Sequence, residues 1–422
     1  MNKAYEKIES DIAIFRDILE RYIQPVTYGA IMSGPYTDAV RPLSPVVYDT
    51  QHRIKIFVSE NSRVYFIFQR RLPFSAKEKK LIEDVIVGLR QMGGEDRAAD
   101  CLHVQEVVER VVAFHISRDY GDLVFRLIQM YKEWAGKTGT EALSVHTTGI
   151  YFNRQKNTGC NIFTMFDDGL IRSIGSTDKT LLAIDRNGYI QSVENINSTA
   201  VQAKKQQNAF APVSVADIAM WTDYRNKAVI RLTERGDILL FKDRKLVFAR
   251  IFSQWRYFPH GTIMDEVFSE DITQEEKEVR KAVYLTLLDL IFDGKGARIG
   301  ILDDPERQQK RLERIHSRFR FSPVLQAERN SFLTTILGTR KFHEIPRKIR
   351  AELCALDGVL LLGTQGDIFA GREAKKKHEA RNLDKDNALL RPSGKNHDLG
   401  IRISELGCVE IYKNSDIPLA FA

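Results

Sequence analysis

The chain has 422 residues, 43% hydrophobic and 28% charged, the balance of an ordinary globular protein and too long for a single core. Its formal charge of +7 and pI near 9.0 fit an anionic partner such as a nucleotide or nucleic acid. No stretch approaches the roughly 18 uninterrupted apolar residues of a membrane span, and Cys101, Cys160, Cys354 and Cys408 are scattered without a CxxC pair, so neither membrane helices nor a disulfide or zinc scaffold is expected.

Residues 1–6 run straight into an amphipathic pattern with Ile8, Ile12, Phe15 and Leu19 on one face, without an apolar leader, which predicts a cytoplasmic chain opening on a helix. Residues 53–58 and 64–68 are β-branched and aromatic and read as strands either side of an Asn61-Ser62 turn. Phe74-Ser75-Ala76-Lys77-Glu78 is a capping box with an apolar staple. Leu81, Ile82, Val85 and Leu89 follow at helical spacing, and Gly93-Gly94 stops the helix. A second long helix is predicted from about Tyr120 through Trp134. Together these form an N-terminal mixed α/β module over residues 1–135.

Gly136-Lys137-Thr138 is not a phosphate-binding loop. That motif needs a glycine where Tyr131 stands and follows a strand, whereas this segment follows a helix and reads as its cap and turn. Residues 136–212 are rich in strand and hairpin signals, with Asp168-Gly169 and Asn187-Gly188 as turn dipeptides. Asp178 and Asp185 are of metal-ligand type, but in such turns acids serve the backbone. Residues 194–212 are polar and read as a linker. Beyond them, residues 229–232 and 238–241 form a hairpin around Arg235-Gly236-Asp237, followed by residues 245–249 and an aromatic turn at Trp255-Arg256-Tyr257.

The helix with the clearest pattern is 278–292, lined by Val279, Val283, Leu287 and Leu290 and stopped by Asp293-Gly294. Residues 297–302 read as a buried strand. Residues 307–320 are a basic helical run, and helical sequence around Ala351 leads into the apolar run Leu356-Asp357-Gly358-Val359-Leu360-Leu361-Leu362. A charged insertion over 371–390 follows, read either as a solvated loop or as a lid over an anionic ligand. Then come Ser393-Gly394-Lys395-Asn396-His397-Asp398, Ile403-Ser404-Glu405 and a closing strand, 408–412.

The order from about Val215 to the end resembles the diadenylate cyclase domain, with its divergent sensor-type branch (DACNV/DACNK type, found in bacterial conflict systems) the nearer likeness. Asp357-Gly358-Val359 stands where that family has Asp-Gly-Ala, Gly394-Lys395-Asn396-His397-Asp398 where it has Gly-Thr-Arg-His-Arg, and Ile403-Ser404-Glu405 matches its Ile-Ser-Glu. The resemblance implies an α/β fold with a central mixed sheet over residues 213–422, a magnesium or manganese ion on Asp357, and ATP or a related nucleotide as ligand. It also implies a homo-oligomer. Gly358, Gly394, Lys395, Asn396 and His397 are the implied nucleotide-binding residues, with Arg391 and Arg402 supplying positive charge from shifted positions. Both loop arginines of the family are replaced, by Asn396 and Asp398, and neither substitute reproduces a bidentate guanidinium.

The expectation is therefore an α/β protein that recognises a nucleotide or nucleotide second messenger in a bacterial defence or signalling pathway. Two alternatives stand beside it. One is an active nucleotidyltransferase making cyclic di-AMP or another linked nucleotide from ATP. The other is a nucleic-acid-binding scaffold using the basic tracts 307–320 and 372–385.

Overall fold

The computed structural model describes residues 2–40, 42–59, 62–92, 101–136, 145–156, 158–165, 171, 176–177, 179–196, 209–224, 226–268, 272–302, 335, 337–355, 360–369, 399–404, 409–413 and 419–421. The fold is α/β, and the chain divides into two compact units. Unit one comprises Met1–Ala211 and Val215–Thr262; unit two comprises Pro212–Ser214 and Ile263–Ala422.

Unit one opens on helix α1, Asn2–Ile18, which continues through a π-turn, Leu19–Ile23, whose Leu19 and Ile23 are buried. Strands β1 (Ile31–Thr37), β2 (Val46–Thr50), β3 (Arg53–Phe57) and β4 (Val64–Gln69) form an antiparallel sheet in the order β1-β4-β3-β2. Alternation in β3 puts Ile54 and Ile56 into the core. Helix α2, Ala76–Met92, starts as its capping box predicts. Ser75 Oγ accepts from Glu78 N at 3.2 Å, and Glu78 Oε2 accepts from Ser75 N at 2.8 Å. The Gly93-Gly94 stop lies outside the described residues.

Helix α3, Cys101–Ile116, was not expected from the sequence, whose valines favour strand; Val104, Val107, Val108 and Val112 nevertheless recur at helical spacing, and all four are buried. Helix α4, Gly121–Gly136, confirms the expected second helix.

Strands β5 (His146–Tyr151), β6 (Thr180–Asp185), β7 (Ile190–Asn195), β8 (Lys227–Leu232), β9 (Ile238–Lys242), β10 (Lys245–Ile251) and β11 (Gln254–Tyr257) form a second sheet, in the order β11-β10-β9-β8-β5-β6-β7. Only β5 and β6 are parallel neighbours. This sheet draws strands from both sides of residue 212, where the sequence reading divides the chain. The segment 194–212, expected as a linker, is partly built into it: β7 runs to Asn195, and Phe210 bridges to Lys245. Short helix α5, Ala216–Trp221, packs on β8, β9 and β10. The hairpins expected at Asn187-Gly188 and Arg235-Gly236-Asp237 form, with Gly188 at φ +86° and Gly236 at φ +80°; the turn expected at Asp168-Gly169 lies outside the described residues. On one face of the sheet, Ile150, Leu182, Ile184, Ile230 and Leu240 share a core with Leu127, Ile128 and Tyr131 of α4.

Helix α6, His260–Phe268, precedes unit two's long helix α7, Gln274–Asp293. Thr273 caps α7 by accepting from Glu276 N at 3.2 Å, and Gly294 ends it at φ +66°. Strand β12 (Ala297–Leu302), helix α8 (Arg347–Ala355) and strands β13 (Leu360–Gly363), β14 (Ile368–Phe369), β15 (Leu399–Ile403), β16 (Val409–Lys413) and β17 (Leu419–Phe421) complete the unit. The sheet order is β14-β13-β12-β15-β16-β17, with β12 and β13 parallel and the rest antiparallel. Ile299, Ile301, Leu362, Ile401 and Ile411 are fully buried.

Candidate functional site

The frame of the expected site is set by β12 and its two neighbours. Leu360, the first residue of β13, pairs beside Ile299, and Leu399, the first residue of β15, pairs opposite Ile301. Asp357-Gly358 ends two residues before β13 in sequence, and Gly394–His397 ends two residues before β15. Each motif thus feeds a strand flanking the same central strand, but β13 runs parallel to β12 and β15 antiparallel, so the two strands start toward opposite ends of β12. The residues themselves, Asp357, Gly358, Arg391, Gly394, Lys395, Asn396 and His397, lie outside the described residues, as do the basic run 307–320 and the insertion 371–390.

Arg402 is the one expected site residue that is described. It sits in β15 opposite Arg298 on one side and Glu410 on the other. Its Nη1 is 3.2 Å from Glu410 Oε2, which also accepts from the Tyr412 hydroxyl at 3.1 Å. Two arginines in register repel, and Glu410 offsets part of that charge. Arg402 is therefore a strand residue tied to its neighbour across the sheet.

A second charged group was not anticipated from sequence. Asp289 of α7 and Arg347 of α8 form a fully buried pair at 2.6 Å, and Asp289 Oδ1 also accepts from Val213 N at 2.6 Å. Burial pushes the Asp289 carboxyl above its usual range, against the pull of Arg347. Beside them Arg350 is 2% exposed, and its Nε has no hydrogen-bond partner among the described residues. Its guanidinium carbon lies 5.6 Å from the Phe342 ring. Desolvation, with the like charge of Arg347, lowers its pKa to about 10. Among the described residues two guanidiniums face one carboxylate in the interior at α8, the helix that runs into Leu356-Asp357-Gly358. The sequence signal was available: Arg347 and Arg350 occur one turn apart in a helix whose other apolar positions, Ala351 and Cys354, are core.

Asp185, the acid considered for metal binding, is a turn residue. Its carboxylate accepts from Asn187 N and Tyr189 N, both at 2.9 Å, and from Lys156 N. Asp178 lies outside the described residues. Among the described residues no group of three His, Cys, Asp or Glu side chains is placed to hold a metal ion, and no helix is long and apolar enough to cross a membrane. No family model, curated protein or solved structure matches the chain.

Proposed function

We propose that unit two recognises a nucleotide or a nucleotide second messenger, with Asp357, Gly358, Gly394, Lys395, Asn396 and His397 as the contacting residues. The observation that carries this reading is that each motif leads directly into a strand beside β12, the Asp-Gly motif from the Ile299 end and the Gly-x-x-His motif from the Ile301 end. Backbone amides of glycine-flanked segments at strand ends suit phosphate oxygens. The two guanidiniums at α8 favour an anion in their neighbourhood. Recognition is favoured over cyclisation because Asn396 and Asp398 stand where the resembled family has arginines, and an acid there repels a triphosphate. If the site is catalytic instead, Asp357 would hold a magnesium or manganese ion that activates a ribose hydroxyl and steadies the triphosphate.

Mass spectrometry of the purified protein, before and after incubation with the four nucleoside triphosphates and Mn²⁺, tests the reading. The expected result is a nucleotide released on denaturation and triphosphates left unchanged. Asp357→Ala and His397→Ala are expected to abolish retention of that nucleotide. Retention unaffected by both substitutions, or a new linked dinucleotide abolished by Asp357→Ala, overturns it.

A further inference from the structure

The sheets of residues 146–257 and 297–421 follow one plan. Outward from β5 the order is β6, β7 on one side and β8, β9, β10 on the other; outward from β12 it is β13, β14 and β15, β16, β17. In each, the central strand is parallel to its first neighbour on one side and antiparallel to that on the other.

The registers also agree. Leu232 pairs with Ile238 as Ile403 pairs with Val409. Leu240 faces Phe248 as Ile411 faces Leu419, and Ile238 faces Arg250 as Val409 faces Phe421. The hairpins on the other side turn alike. Asp185 N donates to Tyr189 O and Gly188 N to Asp185 O; Gly363 N donates to Asp367 O and Gly366 N to Gly363 O. Gly188 and Gly366 have φ of +86° and +90°.

The sequence repeats with the backbone: Ile230-Arg231-Leu232-Thr233-Glu234-Arg235-Gly236 matches Ile401-Arg402-Ile403-Ser404-Glu405-Leu406-Gly407. Agreement of order, direction, register and sequence identifies two copies of one module.

In an open sheet of this kind, ligands settle outside the carboxyl end of the strand at which the chain's connections diverge to opposite sides. In unit one that strand is β5, which ends at Tyr151, between Asp185 of β6 and Lys227 of β8. Among the described groups at this end, Lys227 Nζ lies 4.3, 4.8 and 5.3 Å from the ring centroids of Trp221, Tyr151 and Tyr224, and the Arg154 guanidinium lies 3.6 Å over Tyr151.

Glu194 and Asp223 attract Lys227, but neither closes an ion pair with it among the described residues. Glu194 accepts from Tyr151 Oη at 2.8 Å, Ser192 Oγ at 3.1 Å and Trp221 Nε1 at 2.7 Å. Asp223 pairs with Arg244 at 2.7 Å, and Asp185 is taken by its own turn. Neither Arg154 nor Lys227 has a carboxylate at ion-pair distance among the described residues, and Tyr224 is 66% exposed. Two cations lacking a salt bridge thus stand beside an exposed ring, held on a floor of Tyr151 and Trp221 that Glu194 fixes.

We propose that the carboxyl end of β5 is a second ligand site, for an anionic aromatic ligand of the nucleotide class. Arg154 and Lys227 take the phosphate, and Tyr224 stacks on the base. The geometry stands on unit one alone; the choice of a nucleotide over another aryl anion rests on the reading of unit two.

Photolabelling of the full chain with 8-azido-ATP, with and without competing ATP, followed by peptide mapping, tests this. ATP-competed label on peptides of 215–262 is expected, falling about tenfold or more in Arg154→Gln/Lys227→Gln, since two charge-assisted contacts are lost. Arg154 is exposed and Lys227 half-buried at the start of β8, so the melting temperature of the double variant is the control for folding. Label there that the double variant leaves unchanged overturns the site. Label confined to peptides of 355–404 overturns it while sustaining the reading of unit two. Label confined to 215–262 sustains it and counts against unit two. No competed label on either overturns both.

Discussion

Trp221 lies on Gly149 with no room for a methyl group between them: a β-carbon at residue 149 falls 2.7 Å from the indole Cη2. The indole also donates to Glu194 at 2.7 Å, so its place is fixed from below and from one side. Gly149→Ala is expected to displace the ring and cost about 1–3 kcal/mol, the usual range for overpacking a filled core. It should also break the Trp221–Glu194 hydrogen bond. Urea unfolding and tryptophan fluorescence check this; an unshifted emission maximum with unchanged stability would sink the packing account.

Asp289 and Arg347 depend on each other because neither side chain reaches water. Arg347→Met strands a buried carboxylate that still accepts from Val213 N, and a loss of about 3–5 kcal/mol is expected. Arg347→Met/Asp289→Leu is expected to recover only part of it, since the carboxylate is no longer stranded but buried Arg350 and the Val213 amide then lose it. Equal losses in the single and double variants, measured by denaturant titration, would contradict the coupling.

Glu78 is asked to do more than Ser75, although the two form one capping box. Its carboxylate accepts from Ser75 and stands 2.7 Å from Arg70 Nη2, with side-chain exposures of 1% and 3%. Arg70 in turn donates to the carbonyls of Thr27, Leu72 and Pro73. Ser75→Ala is expected to cost about 1 kcal/mol and Glu78→Ala about 3 kcal/mol or more. Comparable losses in thermal unfolding would show that the ion pair adds little.

His260 gives unit one a dependence on pH. Burial lowers its pKa to about 4, and its Nε2 donates to Leu246 O at 2.7 Å. The folded state keeps the ring neutral where the unfolded chain, with an ordinary pKa near 6.5, takes up a proton. Its contribution is therefore complete above about pH 6.5 and is lost as pH falls from there toward 4, by roughly 3 kcal/mol over the interval. His260→Gln keeps a donor for Leu246 O without the titration. The variant's melting temperature is predicted to fall less steeply between pH 7 and pH 5. A parallel fall in both proteins would assign the acid sensitivity elsewhere.

The local features follow from short runs of sequence. The capping box at Ser75, the glycine turns at Gly188 and Gly236, the stop at Gly294 and the alternation of β3 all follow from a few neighbouring residues, because φ > 0, an orphan helix N–H or a two-residue period is settled within one turn. Helix α3 was legible in its valine spacing but masked by the β preference of valine. Its packing against α2 and α4 overrides that preference. The repeated Ile-Arg-x-Ser/Thr-Glu-x-Gly was also present in the sequence. Its meaning required the registers, because similarity over seven residues is weak until the strands carrying it are seen to occupy equivalent positions.

The tertiary structure alone decided the rest. Pairing β5 with β8, or β12 with β15, joins residues far apart in the chain, and no local preference encodes which strand will be the neighbour. For the same reason Lys227, Tyr151, Arg154 and Trp221 were not legible as a group. They come from the end of one strand, a loop, a short helix and the start of another strand, and only the sheet's register brings Lys227 within 6 Å of three ring centroids and Arg154 over one of those rings.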